Sequence, residues 1–345
     1  MPCLYNIRTE GKTSAKCDGL MDCGGSCGVA VNSRVEIQIK ILIVNIFKKT
    51  LIIHEKGVYL RILRIIKLRK SIMDKEIREK NREAWNEALL YHQKARNNSL
   101  HEGFKNQNFT TFNRDCDDIL IEKLNEINLT GKVIAQLPCN NGRELLSLVK
   151  LGAKKGIGFD ISDTAISEAN ELKAISKLNV EFYRTNILDI DDTFNGSVDF
   201  IYISEGSLQW FPVLNDYFKI VAKLLKPNGK ILIYEIHPFA YFFETSNDLD
   251  KDPTLDDFIS YFEKGPYSYK NGLDYVGQTK YEAKECCWYM HKISDIINAI
   301  IHNGIEIENI EEYNTEIANE ERMKNIKKFP LSYIISGRRL LPNVL

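Results

Sequence analysis

The stretch Lys132–Ala153, KVIAQLPCNNGRELLSLVKLGA, decides the fold of this chain. Its first six residues, Lys132–Leu137, form the short apolar run of a buried strand, and Pro138–Gly142 then turns the chain. Arg143–Leu151 has the 3.6-residue period of an amphipathic helix, and Gly152 marks its carboxyl end. A strand, a tight turn and a helix in direct succession are typical of a parallel α/β sheet.

The same alternation continues towards the carboxyl terminus. It predicts a doubly wound sheet, because right-handed crossovers place helices on both faces. Ser162 is the expected N-cap of the second helix. Near the end, a helix precedes two strands that no helix separates, which predicts an antiparallel hairpin at the sheet edge. The predicted strands are 132–137, 155–159, 180–184, 198–204, 230–236, 305–310 and 331–336, and clear helices cover 143–151, 214–225 and 294–302.

An insertion of about residues 238–284 separates the fifth and sixth strands. It is rich in Phe, Tyr and acidic residues and has no clear periodicity. Two interpretations are open: a lid that excludes water from an apolar or planar substrate, or a segment with a small core of its own. His291, just after the insertion, is a candidate lining residue of the same pocket.

The charge of the chain is close to neutral overall but unevenly distributed. With 46 Lys and Arg against 47 Asp and Glu, the formal net charge is −1, yet residues 1–72 alone carry +8 and the remainder carries −9. The net negative charge of residues 73–345 would repel the phosphate backbone of a nucleic acid, so we expect no nucleic-acid partner. Since no apolar run approaches the ~18 residues of a membrane span and no secretory signal precedes the chain, we expect a cytoplasmic protein.

The basic segment 1–72 differs from the rest in composition. Its cysteines, Cys3, Cys17, Cys23 and Cys27, lack the paired spacing of a zinc site, so no metal is predicted. Residues 59–70 mix Leu and Ile with Lys and Arg and could lie on an anionic membrane surface. We favour the hypothesis that the functional protein begins at Met73. Residues 1–72 are then a disordered or dispensable extension, 73–130 a helical lead, and 131–345 the main domain.

Polar residues follow the predicted strands at their carboxyl ends, where parallel sheets bind ligands. Asp160 follows the second strand, 24 positions beyond Gln136, and a carboxylate at about this spacing can accept both hydroxyls of a ribose. Asn186, Ser204–Glu205 and His237 follow the third, fourth and fifth strands. This set fits a cofactor that contains adenosine.

At this point the chain resembles the class I S-adenosylmethionine-dependent methyltransferases, in particular their small-molecule branch. The resemblance covers about residues 74–340. It rests on the opening stretch, on IGFDIS (157–162), on SVDFIYIS (197–204) with LLKPNGKILIYEIHPF (224–239), and on the tail at 294–313 and 329–339. NREAWNEALLYH (81–92) is similar to the helical lead that covers the cofactor in this branch. The resemblance implies a Rossmann-like, seven-stranded, mostly parallel sheet with an antiparallel final strand.

The same resemblance implies the residues that bind S-adenosylmethionine. The family's acid-x-Gly-x-Gly-x-Gly loop falls on Gln136, Pro138, Asn140 and Gly142, so three of its four positions are altered. Asn140 is the best substitute for glycine where a left-handed backbone is needed. The implied cofactor-binding residues are Gln136, Pro138, Asn140, Gly142, Asp160, Ile161, Asn186, Ile187, Ser204 and Leu208.

The predicted activity is methyl transfer to an O, N or C atom of a small-molecule acceptor by a monomer or homodimer. Glu205 and His237 are the candidate general bases, although His237 could instead cap its strand. Cys139 is interpreted as a loop residue and not as a nucleophile. The alternative is a protein that binds S-adenosylmethionine or S-adenosylhomocysteine without methyl transfer, as the altered loop suggests. A nicotinamide dehydrogenase is disfavoured because G-x-G-x-x-G is absent.

Overall fold

The computed structural model describes residues 56–114, 116–243, 259–318 and 327–341. Backbone contacts divide the chain into two units, Met1–Ile66 and Lys67–Leu345. In the first unit only the start of one helix is described, so the predictions for the four amino-terminal cysteines lie outside the described residues. The second unit contains all the strands described below.

Seven of the nine strands in the described residues form one sheet in the order β3-β2-β1-β4-β5-β9-β8. Strands β1 to β5 pair in parallel, whereas β9 runs antiparallel to both β5 and β8. The predicted doubly wound sheet with an antiparallel final strand is therefore confirmed. The strands are β1 Val133–Gln136, β2 Lys155–Asp160, β3 Val180–Arg184, β4 Val198–Ile203, β5 Leu225–Ile236, β6 Tyr267–Tyr269, β7 Cys286–Trp288, β8 Ile305–Tyr313 and β9 Ser332–Arg339.

Helices cover both faces of this sheet because side chains alternate along its buried strands. In β4, Phe200 and Tyr202 pack on one face, and Ile201 and Ile203 pack on the other. Each fully buried side chain of this size stabilises the fold by about 1.5–3 kcal/mol. The helices are α1 Lys56–Arg96, α2 Ser99–Lys105, α3 Asp117–Ile127, α4 Arg143–Lys150, α5 Asp163–Ser176, α6 Leu214–Leu224 and α7 Ile293–His302.

The helical lead is longer than the sequence predicted. We expected a helix after Met73, but α1 begins earlier, at Lys56, and so includes residues 56–72. The physical reason is that residues 59–70 contain no Gly or Pro and are rich in Leu, Ile, Lys and Arg, which tolerate the helix well. Strand β5 also begins earlier than predicted, at Leu225, because Leu225 pairs with Val198 ahead of a register shift in β4.

The insertion between β5 and β8 contains a small sheet of its own. Strands β6 and β7 pair antiparallel, and the rings of Tyr267 and Tyr241 pack on Trp288 with centroids 4.8 and 5.3 Å away. A small aromatic cluster therefore joins the insertion to β7. Part of the acidic stretch of the insertion, residues 247–252, lies outside the described residues.

The insertion is attached to helix α1 along the length of the lead. The Asn81 amide donates to the carbonyl of Cys287 (2.8 Å) and accepts from its N–H (2.7 Å). The Lys284 N–H donates to Glu87 (2.8 Å), and the ring of Tyr91 stacks on Tyr281 at 4.1 Å. On its other side α1 contacts α5, where the Ser162 hydroxyl donates to Asn86 (2.7 Å). Helix α1 thus lies between the insertion and the main sheet domain.

Candidate functional site

A cleft opens at the carboxyl ends of β1 and β2, beneath helix α1. It encloses about 990 Å³ of space free of protein atoms, part of it open to solvent. Six of the ten predicted cofactor-binding residues line it: Pro138, Asn140, Asp160, Ile161, Asn186 and Ile187. The other lining residues are Asp74, Arg78, Asn81, Trp85, Leu89, Ser162, Ala165, Leu188, Trp210, Phe211, Pro212, Val213 and Asp216.

Asp160 ends β2 at the wall of this cleft and is only 7% exposed. Its Oδ1 accepts from the Ser162 N–H and its Oδ2 from the Asn140 N–H, both at 2.8 Å. Burial raises the pKa of Asp160 to about 6, while these backbone donors act in the opposite direction. The backbone N–H of Ile161 also stabilises this carboxylate. Because its two oxygens have four lone pairs between them, the carboxylate can still accept a hydrogen bond from a ligand.

The turn after β1 uses two left-handed residues. Asn140 has φ 49° and Gly142 has φ 72°, which confirms the predicted left-handed conformation of Asn140. A Cβ atom on Gly142 would lie 2.4 Å from the Phe182 ring, so glycine lets α4 begin close to β3. Pro138 and Asn140 face the cleft, whereas Gly142 is not among its lining residues.

Gln136 and Ser204 are not among the residues that line the cleft, and they form a buried polar cluster with Glu144. The Gln136 Nε2 donates to Glu144 Oε2 (2.6 Å) and to Ser204 Oγ (3.1 Å). Within the described part of the chain, Gln136 Oε1 is buried without a hydrogen-bond partner. The guanidinium of Arg143 lies 3.5 Å from the other oxygen of Glu144. Glu144 was not among the predicted site residues.

Asn186 begins the short helical turn Ile187–Asp189 at the end of β3. Its side chain accepts from the Leu188 N–H and donates to Asp189 (2.9 Å). Ile187 is buried and contributes an apolar surface to the cleft. This corner therefore combines an amide with an apolar wall, a combination that suits a heteroaromatic ring.

The family resemblance implied that residues 81–92 cover the cofactor, but sequence reasoning did not single out the aromatic residues Trp85 and Trp210 in the wall of the cleft. Trp85 on α1 stands edge-on to Trp210, with ring centroids 5.6 Å apart. His291 bonds through Nε2 to the carbonyl of Phe211 (2.9 Å), and is itself not a lining residue. The sequence does indicate that the lining residues of α1 share one face of the helix, because they follow one another at spacings of three or four: 74, 78, 81, 85 and 89.

The segment after β4 is held by a buried carboxylate that the sequence analysis did not single out. Glu235 in β5 accepts from the backbone N–H groups of Gly206, Ser207 (2.9 Å) and Leu208 (3.1 Å). Burial raises the pKa of Glu235 to about 7, against the effect of these donors. Leu208 is buried in the core beneath this segment and does not line the cleft.

The two predicted bases have different surroundings. Glu205 pairs with Arg114 (3.2 Å), and burial together with the nearby Glu144 raises the pKa of Glu205 to about 7. His237 accepts from the Phe239 N–H at Nδ1 (3.1 Å), so its Nε2 carries the hydrogen that faces Glu312 (3.0 Å). Burial lowers the pKa of His237. Neither residue lines the cleft, and His237 has both nitrogens engaged within the protein.

Three other predictions concern thiols, metals and membranes. Cys139 is buried beneath the turn, and burial raises the pKa of its thiol far above the usual value, so it does not present a thiolate. Among the described residues, no group of three or more His, Cys, Asp or Glu side chains could hold a metal ion. In the same part of the chain, every helix is too short or too polar to cross a membrane.

Comparison with known proteins identifies the family. A family model described as a methyltransferase domain matches residues 130–319, more than half of the chain. This chain belongs to that methyltransferase family. The superfamily predicted from the sequence is therefore confirmed, and membership implies S-adenosylmethionine as the cofactor.

Individual relatives match only in part. An uncharacterised protein of Rickettsia prowazekii is 34% identical over 110 residues, which are 31% of this chain and 20% of that protein. A ribosomal protein L11 methyltransferase of Vibrio cholerae is 28% identical over 152 residues, 42% of this chain and 48% of that enzyme. The chain thus spans less than half the length of these two relatives.

A solved structure shares the fold. The crystal structure of a candidate S-adenosylmethionine-dependent methyltransferase from Listeria monocytogenes superimposes with a TM-score of 0.50 at 19% identity. The superposition covers 64% of this chain and 96% of the Listeria protein. This similarity supports the sheet topology described above.

Proposed function

We propose that this protein transfers the methyl group of S-adenosylmethionine to a small-molecule acceptor. The observation that carries the proposal is Asp160, a buried carboxylate at the wall of the cleft that can still accept a hydrogen bond from a ligand. A carboxylate at the end of the second strand suits the hydroxyls of a ribose. Ile187, Leu188 and Asn186 would hold the adenine, and Trp210 with helix α1 would cover it.

The amino-acid end of the cofactor would extend from the ribose towards β1 and β4. In the sheet, Gln136 pairs in register with Gly158 of β2 and Tyr202 of β4, so it lies between Asp160 and the segment after β4. The unpartnered Gln136 Oε1 is a buried acceptor that an ammonium group would satisfy. The residues present therefore fit the cofactor despite the altered glycine loop.

When bound, the cofactor supplies an electrophilic methyl group on a positively charged sulfur. The chain positions the cofactor and excludes water from it, because helix α1 lines the cleft and the two hydrogen bonds of Asn81 to Cys287 hold that helix in place. If the acceptor must lose a proton, Glu205 is the better candidate base, since its pKa of about 7 lies near the working pH. His237 is more simply a cap of β5, because both its nitrogens are engaged.

We favour a small-molecule acceptor because helix α1 lines one side of the cleft and narrows the access to it. The net negative charge of residues 73–345 argues against a nucleic-acid acceptor in particular. The free cysteines among the described residues, Cys116, Cys139, Cys286 and Cys287, support a reducing, cytoplasmic compartment. We further propose a monomer or homodimer, which sedimentation of the purified protein would test.

A second candidate is a protein that binds the cofactor without methyl transfer. It is favoured by the polar and Pro substitutions at Gln136, Pro138 and Asn140. Calorimetry with S-adenosylmethionine and S-adenosylhomocysteine tests the binding that both candidates share. Turnover of labelled S-adenosylmethionine with metabolite extracts then separates them: transferred label supports the enzyme, and tight binding with no transfer supports the binding protein.

A further inference from the structure

We propose that Glu144 supplies the negative charge that binds the ammonium group of the cofactor. The proposal rests on the proposed function. The residue at the end of β1, Gln136, is neutral, and the nearest carboxylate to its amide comes from the first turn of α4. The charge would therefore be displaced by eight positions along the chain while staying at the same place in the fold.

The first observation is the orientation of the Gln136 amide. Gln136 is 1% exposed and Glu144 is 8% exposed, so both side chains are removed from water. Since a carboxylate accepts and cannot donate, Glu144 requires the donating Nε2 of Gln136 on its side, at 2.6 Å. The accepting Oε1 must therefore turn away, and in the described residues no donor reaches it. A buried acceptor without a donor is unfavourable, because it has lost its hydrogen bonds to water and gained none in the protein.

The second observation is the charge balance around Glu144. Its one ion pair among the described residues is with Arg143, at the long distance of 3.5 Å. The other carboxylate of this region, Glu205, is paired with Arg114 at 3.2 Å, and Arg114 also contacts Asp117 at 2.9 Å. A buried carboxylate is stable only when it is well paired, so a further cation beside Glu144 is favourable.

An ammonium group would satisfy both the unpartnered Gln136 Oε1 and the weakly paired Glu144. It has three N–H donors and a full positive charge, so it can donate to Gln136 Oε1 and also compensate Glu144. Ser204 Oγ, 3.1 Å from the same amide, marks the side of the cluster towards β4. Gln136 thus accepts the hydrogen bond of the ammonium group through an oxygen whose orientation is set by Glu144, and Glu144 provides the electrostatic attraction.

The test compares two ligands that differ in their amino-acid end. S-adenosylhomocysteine carries the ammonium and carboxylate, whereas 5′-methylthioadenosine has the same adenosine and sulfur without them. Calorimetry would measure both ligands on the wild type, on Glu144→Gln, and on the exchange variant Gln136→Glu/Glu144→Gln. Glu171→Gln is the control, because Glu171 is an exposed acid on α5 whose partner is His101.

We expect Glu144→Gln to weaken the binding of S-adenosylhomocysteine by about 10- to 100-fold, because a charge-assisted interaction is lost. The affinity for methylthioadenosine should change by less than about twofold. The exchange variant should recover most of this loss, since the charge returns to the cluster, and it keeps the test valid if Glu144→Gln folds poorly. Equal weakening of both ligands, unchanged affinity for S-adenosylhomocysteine, or no recovery in a folded exchange variant would overturn the proposal. Failure of the wild type to bind either ligand would instead overturn the proposed function.

Discussion

Replacing Asp160 with Asn is the most informative change, because it removes the charge at the proposed ribose site while keeping the size of the side chain. The wild-type carboxylate can accept charge-assisted hydrogen bonds from the ribose hydroxyls, and hydrogen bonds to charged groups contribute about 1.5–3 kcal/mol each. Allowing for the acceptor that Asn retains, we expect binding of S-adenosylhomocysteine to weaken by about 2–4 kcal/mol, or roughly 30- to 1,000-fold.

The pH dependence gives a second measure of the same residue. Burial raises the pKa of Asp160 from 3.8 to about 6, so the free protein is more stable, in respect of this group, when the carboxyl is protonated. That contribution is fully present below about pH 3.8 and is lost as the pH rises through 6. The ligand prefers the ionised form, so wild-type affinity should fall by roughly fourfold between pH 7.5 and 5.5, the loss expected when about a quarter of the sites stay ionised.

Calorimetry at these two pH values would check both expectations, with Asp163→Asn as control. Asp163 is the neighbouring acid on α5, half-exposed and paired with Arg82 and Arg184, and it does not line the cleft. Two results would refute the reasoning: Asp160→Asn binding within twofold of the wild type, or a pH dependence of the same size in Asp160→Asn. The second result would assign the titration to another group, such as Glu205.

Three further predictions follow from single contacts. Asn81→Ala leaves the buried N–H and C=O of Cys287 unpaired, which should lower the local stability by about 2–5 kcal/mol and speed hydrogen exchange at the Cys287 amide. Unchanged exchange would contradict the two hydrogen bonds between Asn81 and Cys287. Glu205→Gln should lower kcat by about 10²–10⁴-fold and remove the rise of kcat through pH 7, and an unaltered pH profile would exclude Glu205 as the base. Gly142→Ala should lower the free energy of urea unfolding by about 2–4 kcal/mol, because the new Cβ would lie 2.4 Å from the Phe182 ring. Gly131→Ala is the control: Gly131 is also left-handed but has open space around it, so the loss should be only about 1 kcal/mol. Equal losses in the two variants would rule out the steric explanation.

The part of the cleft that could be predicted is the part built from short stretches. Asp160 and the Asn140 turn follow directly from the end of a strand, and their positions relative to β1 and β2 depend only on the parallel pairing of neighbours. Only the family resemblance indicated that residues 81–92 cover the cofactor, because the spacing of Trp85 and Leu89 marks one face of a helix without saying what that face covers. Trp210 likewise carries no periodic signal, since it lies in a short irregular segment after β4.

The hydrogen-bond partners of buried polar residues could not be predicted from the sequence. Glu235 sits inside a strand whose neighbours are apolar, and its role became clear only from the backbone N–H groups 27 to 29 residues away that it accepts from. His237 shows the reverse case, because its position at a strand end suggested catalysis, while its partners Phe239 and Glu312 engage both nitrogens. Position along a strand therefore indicated where polar groups lie but not whether they are free to react.

By itself, the sequence determined the alternation of strands and helices, the antiparallel ending, the left-handed Asn140 and the acid at the end of β2. These features depend on periodicity and on backbone preferences that act over a few residues. Only the tertiary structure decided that Glu144 orients Gln136 and that Asn81 joins the lead to Cys287, 206 residues away. The physical reason is that such hydrogen bonds require particular donors and acceptors to meet at about 2.8 Å, and the order and packing of distant elements set that meeting.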